Sequence, residues 1–287
     1  MRRERETWSY VKRWYLLVPL LYLVLIFVAP LFQMFRMSLY EFQGVGKELG
    51  AFTTENYMKF LSDPYYWKVL GVTVGLSFLS AVICAVMAYP IAYRLCRMTG
   101  RIRHVYTALI MLPLWVPITL RMFGLMTIFP TGTYLAIEAG LVYCGLPYMI
   151  MILTGPLGNI SRSLEEASYV FGAGFWTTFF RITFPLTIPG LISGFMLVFA
   201  LNTAAFVTPQ MLGAGKIVTM TTLIYQQATY IYDWGFASAI AVIFMVFTMI
   251  LANAGRLYDV AEARRLKASG RFLREAMERE EAEDESH

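Results

Sequence analysis

Few residues in this sequence have the type and spacing needed for catalytic or metal chemistry. There are two histidines, of which His287 is the last residue, and three cysteines, Cys84, Cys96 and Cys144. The cysteines lie in or beside apolar segments at spacings that fit no zinc site, and an odd number cannot all pair within one chain. We interpret them as small apolar residues of the interior. We therefore predict no catalytic residue, no metal and no cofactor.

Two segments, 44–47 and 213–216, have the pattern Gly-x-Gly-Lys. A phosphate-binding loop needs G-x-x-x-x-G-K followed by Ser or Thr, and neither segment has that spacing or that last residue. ATP hydrolysis, if it drives this protein, is therefore expected on a separate chain. A membrane enzyme is unsupported, because no nucleophile–base set is apparent.

Two charged residues, Arg121 and Glu138, lie close to apolar stretches. An arginine at the centre of a membrane costs about 2.5–3.5 kcal/mol on insertion scales, so Arg121 is expected near the outer end of the apolar stretch 105–129, a predicted membrane span. Glu138 starts the next span across a tight turn. The two side chains either pair with each other or contact a transported solute. No charged residue is expected at the middle of a span, so a proton relay has little support. Ion-coupled secondary transport stands as the alternative to ATP-driven transport.

The composition indicates a membrane protein. Of the 287 residues, 58% are hydrophobic and 15% are charged, whereas a soluble domain has roughly a quarter charged residues. The net charge of +5 does not indicate a nucleic-acid partner, because the basic residues stand between apolar blocks and form no continuous stripe.

Charge-free runs predict an all-α membrane protein with six transmembrane helices. The first run, between Arg13 and Arg36, has 22 residues, which is longer than the roughly 7–15 apolar residues of a cleaved signal peptide. It is therefore expected to be an uncleaved span. The predicted organisation is an N-terminus (1–13), a six-helix domain (14–255) and a C-terminal tail (256–287). The predicted spans are 14–35, 69–93, 105–129, 134–153, 186–207 and 234–255.

The lysines and arginines predict the orientation. With the N-terminus inside, the cytoplasmic segments hold 18 of the 24 basic residues. Cytoplasmic loops carry an excess of Lys and Arg. Both termini are therefore predicted to be cytoplasmic.

The connection 156–185, between the fourth and fifth spans, is unusually structured for a loop. Ser163 followed by Glu166 is typical of a capping box at a helix start. Glycines 172 and 174 would end that helix, 175–181 would form a second one, and Pro185 and Pro189 would mark the return to the membrane. From the residues alone, this element is either a projecting pair of helices that docks on a partner protein or a loop that packs only against the transmembrane helices.

The same segment resembles the EAA loop of binding-protein-dependent ABC importer permeases. The family pattern is Glu-Ala-Ala, three residues, Gly, nine residues, Ile, one residue and Leu-Pro. This chain departs from it at Ser168, in place of Ala, and at Phe184, in place of Leu. The resemblance implies a type I importer permease fold and a coupling helix that docks on an ATPase subunit. The coupling residues it implies are Glu165, Glu166, Ala167, Ser168, Gly172, Ile182 and Pro185.

Further segments are similar to the spermidine/putrescine-type permeases. They are Asn56 and Tyr57 with Asp63, Pro64 and Tyr66, the loop 211–213, and 233–237. The third-to-fourth connection is shorter than is usual in that group. The resemblance implies a bacterial inner membrane protein that works with two ATPase subunits, a second permease (homologous or identical) and an extracytoplasmic solute-binding protein. Polyamine is the lead solute, with other small polar solutes and oxyanions open.

A solute pathway is expected among aromatic and polar residues of the third, fourth and fifth spans. Aromatic faces and carboxylates can hold polyamine cations, although most Trp and Tyr residues in a span only pack. The candidates are Trp115, Arg121, Glu138, Tyr143, Asn202, Thr203 and Thr208.

Overall fold

The computed structural model describes the backbone of residues 2–44 and 50–251, and the side chains in those ranges from residue 17 onward. Apart from an isolated bridge between Tyr40 and Phe52, the regular elements there are helices, which confirms the predicted all-α fold. The predicted tail, 256–287, lies outside the described residues. In chain order the helices are α1 (Arg2–Met37), α2 (Glu55–Ser62), α3 (Pro64–Arg97), α4 (Gly100–Trp115), α5 (Ile118–Met126), α6 (Tyr134–Asn159), α7 (Arg162–Val170), α8 (Phe175–Thr203), α9 (Val207–Leu212), α10 (Met220–Gln226) and α11 (Trp234–Leu251).

Five helical stretches of the described chain are long and apolar enough to cross a membrane. They correspond to the first, second, fourth, fifth and sixth predicted spans. At 1.5 Å per residue, the 34 residues of α3 extend about 50 Å, well beyond a hydrocarbon core of about 30 Å. The five stretches are Leu17–Met37, Pro64–Arg97, Tyr134–Asn159, Phe175–Thr203 and Trp234–Leu251.

The third predicted span is not one straight helix. The structure breaks it into α4 and α5, which meet at an angle of 90°. Pro117 explains the break, because a proline lacks an amide hydrogen and disfavours helical geometry in the residue before it. Val116 is indeed extended, with φ −86° and ψ 131°. Six spans result only if this bent pair counts as one.

The fifth span also differs from the prediction. Pro185 and Pro189 were expected to mark a turn, but α8 runs through both and begins at Phe175, 11 residues before the predicted start. A π-helical turn at Phe179–Thr183 ends two residues before Pro185. Pro185 has no amide hydrogen to donate to the preceding turn. The wider π-helical turn lets the helix continue without that hydrogen bond.

By contacts the chain divides into two compact units, of which the first comprises Met1–Val69 and Met220–Met245. In this unit Asn56 donates from Nδ2 to the carbonyl oxygens of Ser38 (3.0 Å) and Tyr40 (2.9 Å). The Tyr66 ring packs on Phe60 and Phe236, with centroids 5.4 and 5.2 Å apart. Two of the segments that resemble the polyamine-type permeases, the one with Asn56 and Tyr66 and the segment 233–237, are therefore in contact.

Among the described residues, the second unit comprises Leu70–Thr219 and the residues from Val246 to Leu251. Its centre is the contact between α6 and α8. Gly190 and Gly194 stand one helical turn apart on α8. A Cβ atom at Gly190 would lie 2.1 Å from Cγ of Pro156, and one at Gly194 would lie 2.8 Å from Sδ of Met149. Small residues with this spacing let membrane helices approach closely.

Helix α3 packs on this pair through another row of small residues. Ala81, Cys84, Ala88 and Ala92 are fully buried in one cluster with residues of α6 and α8, including Leu153. Cys84 is a free thiol, in agreement with its interpretation as a small interior residue.

Candidate coupling surface

The N-cap of helix α7 lies two residues before the predicted one. Its N-cap is Ser161, whose Oγ accepts a hydrogen bond from the amide of Ser163 (3.3 Å). The predicted box between Ser163 and Glu166 is therefore wrong. Ile160 ends α6 in an extended conformation, so the chain re-enters helical geometry at Arg162 and Ser163 lies inside α7.

Gly172 ends α7 as the loop pattern predicts. Its φ of +81° lies in the left-handed region that favours glycine. The amide of Gly172 donates to the carbonyl of Tyr169 (2.9 Å), and that of Ala173 donates to the carbonyl of Ser168 (3.1 Å). This pair of bonds is a Schellman motif, which satisfies the last carbonyl groups of the helix.

Helix α7 and the turn after it carry a large exposed apolar surface. Val170 and Phe171 are 86% and 90% exposed. Glu166 and Ala167 are exposed beside them. A patch of this kind on a membrane protein outside its spans is typical of a protein–protein contact.

Glu165, next to Glu166, points the other way and is buried. Its Oε1 accepts hydrogen bonds from the guanidinium of Arg97, at the end of α3, and from Oγ1 of Thr183 (3.0 Å), in α8. One carboxylate thus joins α7 to two long helices. Charge-assisted hydrogen bonds are about twice as strong as neutral ones.

Two further polar contacts hold α7 in place. The guanidinium of Arg162 donates to the carbonyl of Arg97 (2.9 Å), and the hydroxyls of Ser168 and Thr178 lie 2.9 Å apart. The exposed face of α7 is therefore rigidly attached to α3 and to the first turn of α8.

An aromatic cluster surrounds the π-helical turn. The Phe179 ring packs on Tyr89 and Phe175, with centroids 5.4 and 6.2 Å apart. The guanidinium of Arg97 lies 5.2 Å from the centre of the Tyr93 ring. Of the remaining predicted coupling residues, Ile182 is half-buried here and Pro185 is exposed on α8.

The seven predicted pathway residues make different local contacts. Asn202 donates to Oγ of Ser80 (2.7 Å), Thr203 donates to the carbonyl of Phe199 in its own helix, and Thr208 is buried against Gly140. Trp115 is 86% exposed at the end of α4. The polar side chains of α8 thus serve helix contacts, and their role in a pathway stays a prediction.

Arg121 and Glu138 do not pair with each other. The guanidinium of Arg121 lies 5.8 Å from the centre of the Tyr143 ring, and two of its nitrogens are buried without a hydrogen-bond partner. Glu138 is 7% exposed, and neither of its carboxylate oxygens has a partner. A buried ionised carboxylate without a partner is costly, so Glu138 is a candidate for function.

Arg97 and Thr183 were missed by the sequence analysis. They are 68 and 18 residues from Glu165 along the chain, and no local pattern marks either of them. Among the described residues, no group of three or more His, Cys, Asp or Glu side chains is placed to hold a metal ion.

The fold and the EAA-type loop define a transport permease, and comparison with known proteins agrees. Residues 82–264 match the family described as binding-protein-dependent transport system inner membrane component, and the chain belongs to this family. It is therefore a multi-pass protein of the inner membrane. The spermidine/putrescine transport system permease protein PotB of Escherichia coli (strain K12) is 29% identical over 234 residues, which are 73% of this chain and 85% of the relative. This confirms the resemblance to polyamine-type permeases.

Solved structures show the same fold. A chain of a bacterial ABC transporter involved in the import of the acidic polysaccharide alginate has a TM-score of 0.71 and 15% identity, covering 88% of this chain and 98% of the other. A second structure, of a bacterial alginate ABC transporter with its alginate pentasaccharide-bound periplasmic protein, has a TM-score of 0.68 and 16% identity, covering 86% and 95%. At such identities the likeness establishes the permease fold alone.

Proposed function

We propose that this chain is the permease subunit of an ATP-driven importer whose ATPase docks on α7. The observation that carries the proposal is the orientation of two neighbouring glutamates. Glu165 is turned inward and joins α7 to α3 and α8, whereas Glu166 is exposed beside Val170 and Phe171. A partner that moves the exposed face must therefore move the two long helices with it.

The full assembly would contain two ATPase subunits, a second permease that is homologous or identical, and an extracytoplasmic solute-binding protein. Both termini and α7 would lie on the cytoplasmic side, as the distribution of basic residues predicts. ATP-driven closure of the ATPases would displace α7 and shift the spans between inward-facing and outward-facing states.

Copurification tests the docking proposal. We expect the wild-type chain to retain its candidate ATPase, and the Glu166→Lys, Gly172→Trp double variant to lose it. The matched control is Glu55→Lys, the same charge change at an exposed residue of α2. Equal retention by all three chains would show that α7 is not the docking surface.

The proposed solute is a polyamine such as spermidine or putrescine. The relative named above supports this assignment, and Glu138 supplies a buried carboxylate without a partner that an ammonium group could occupy. The importer reconstituted into vesicles should take up labelled spermidine only when ATP is present on the side of the membrane that carries the ATPase subunits. Uptake without any ATPase chain would favour ion-coupled secondary transport instead, and ATP-dependent uptake of another solute would overturn only the polyamine assignment.

A further inference from the structure

A basic cavity lies where α3 ends and α4 begins. Its volume is about 420 Å³. Arg103 and His104 of α4 line it together with three threonines, Thr99, Thr107 and Thr154. No acidic side chain lines it, and among the described residues no carboxylate lies at ion-pair distance from Arg103.

An apolar groove adjoins this cavity. It has a volume of about 310 Å³ and shares Leu95 and Met98 with the basic cavity. Its other walls come from α3 and α4, including Ile91 and Ile110, and the basic residue at its side is Arg94. The two spaces therefore lie next to each other along Leu95 and Met98, the first with cationic lining residues and the second mainly apolar.

The position along the spans matches the membrane surface. Arg94 belongs to the last turn of α3, and Arg103 lies in the first turn of α4. Both helices run from there into apolar sequence. Thr99 precedes α4 without making a side-chain capping bond, so the first amides of that helix add positive potential beside the cavity.

We propose that this site binds an anionic phospholipid. Its phosphate would lie against Arg103, His104 and the start of α4, and one acyl chain would lie along the groove past Ile91 and Ile110. Charge complementarity and the apolar extension favour this occupant, because basic pockets between membrane helices bind anionic headgroups. The site lies at the end of α3, the helix whose Arg97 holds α7. This inference does not depend on the solute or on the ATPase.

The test compares lipid binding to the purified full-length chain by native mass spectrometry. Phosphatidylglycerol and phosphatidylcholine with identical acyl chains serve as probes. We expect the wild-type chain to retain phosphatidylglycerol preferentially. A surface basic residue contributes about fivefold in affinity for anionic lipid, so Arg94→Gln with Arg103→Gln should lower phosphatidylglycerol binding about 25-fold.

Two matched controls test whether an effect comes from the proposed site rather than from any loss of positive charge or any larger side chain. Arg101→Gln removes a charge two residues from Arg103 but lines neither space, so binding should be unchanged. Ile91→Trp should fill the groove and weaken binding, whereas Val86→Trp, at an exposed position of the same helix outside the groove, should not. Both lining arginines are exposed, and unchanged melting of the lipid-free variants would establish that they fold.

Equal binding of the two lipids, or undiminished phosphatidylglycerol binding in the double arginine variant, would overturn the proposal. Displacement of the lipid by millimolar inorganic phosphate alone would assign a free-anion site instead. Loss of the lipid when the chain joins a second permease would show that protein covers the groove, and would also overturn it.

Discussion

Arg97 and Glu165, 68 residues apart in the chain, form an ion pair that fastens α7 to the end of α3. Thr183 donates to the same carboxylate oxygen from α8. A short helix with an exposed apolar face is thereby tied to two long helices at one point. This arrangement is suited to a helix that a partner protein would move.

Replacing Glu165 by Gln should destabilise the protein. Removing one partner of a buried ion pair costs about 3–5 kcal/mol, and a value near 3 kcal/mol is expected because the Arg97 side chain remains 19% exposed. Thermal unfolding of the purified chain measures this. The control is Glu166→Gln at the adjacent exposed position, which should change stability by less than about 0.5 kcal/mol yet weaken ATPase retention. Equal loss of stability in the two variants would contradict the assigned orientations.

Gly172→Ala should cost about 1–2 kcal/mol of stability, because a side chain at φ +81° meets its own backbone. A Cβ atom there would touch nothing else within 4 Å, so the loss would be conformational. Gly174→Ala is the matched control, since Gly174 has a φ of −79° and equally open surroundings. Thermal unfolding of both variants is the measurement, and a similar loss in both would rule out the backbone explanation.

Gly190→Leu should prevent close packing of α6 and α8 and reduce the yield of folded protein. Overpacking a well-filled contact typically costs about 1–3 kcal/mol, and a Cβ atom only 2.1 Å from Pro156 cannot be accommodated without moving a helix. Gly155→Leu, on α6 with no atom within 4 Å of its Cβ position, is the control. The fraction of monodisperse protein in size-exclusion chromatography reports the outcome. A normal yield of the Gly190 variant would show that the helices can separate.

Glu138→Leu should raise the stability of the isolated chain by about 1–3 kcal/mol, because it removes a buried polar group that has no partner. The same change should abolish ATP-dependent polyamine uptake if the carboxylate receives an ammonium group. Asn202→Leu is the contrasting variant, since it removes the hydrogen bond to Ser80 and should lower stability. Lower stability of the Glu138 variant would indicate a structural role for this carboxylate instead.

Gaps between charged residues were sufficient to place most of the spans, because a helix in hydrocarbon must bury its backbone polar groups and exclude charges over about 20 residues. The same reasoning placed the third span but missed its break. Pro117 was visible in the sequence, yet a proline can either end a helix or be absorbed by it, as Pro185 is in α8. Only the surrounding packing decides between these outcomes.

The sequence alone determined the α-helical membrane class, the position of the EAA-type loop and the glycine that ends α7, since these depend on hydropathy, on residue spacing and on one left-handed backbone position. Only the tertiary structure decided which of Glu165 and Glu166 is buried, and that Arg97 is the partner. The physical reason is that both glutamates satisfy the same local pattern, and the choice is made by side chains 18 and 68 residues away. Such contacts leave no periodic signal in one sequence.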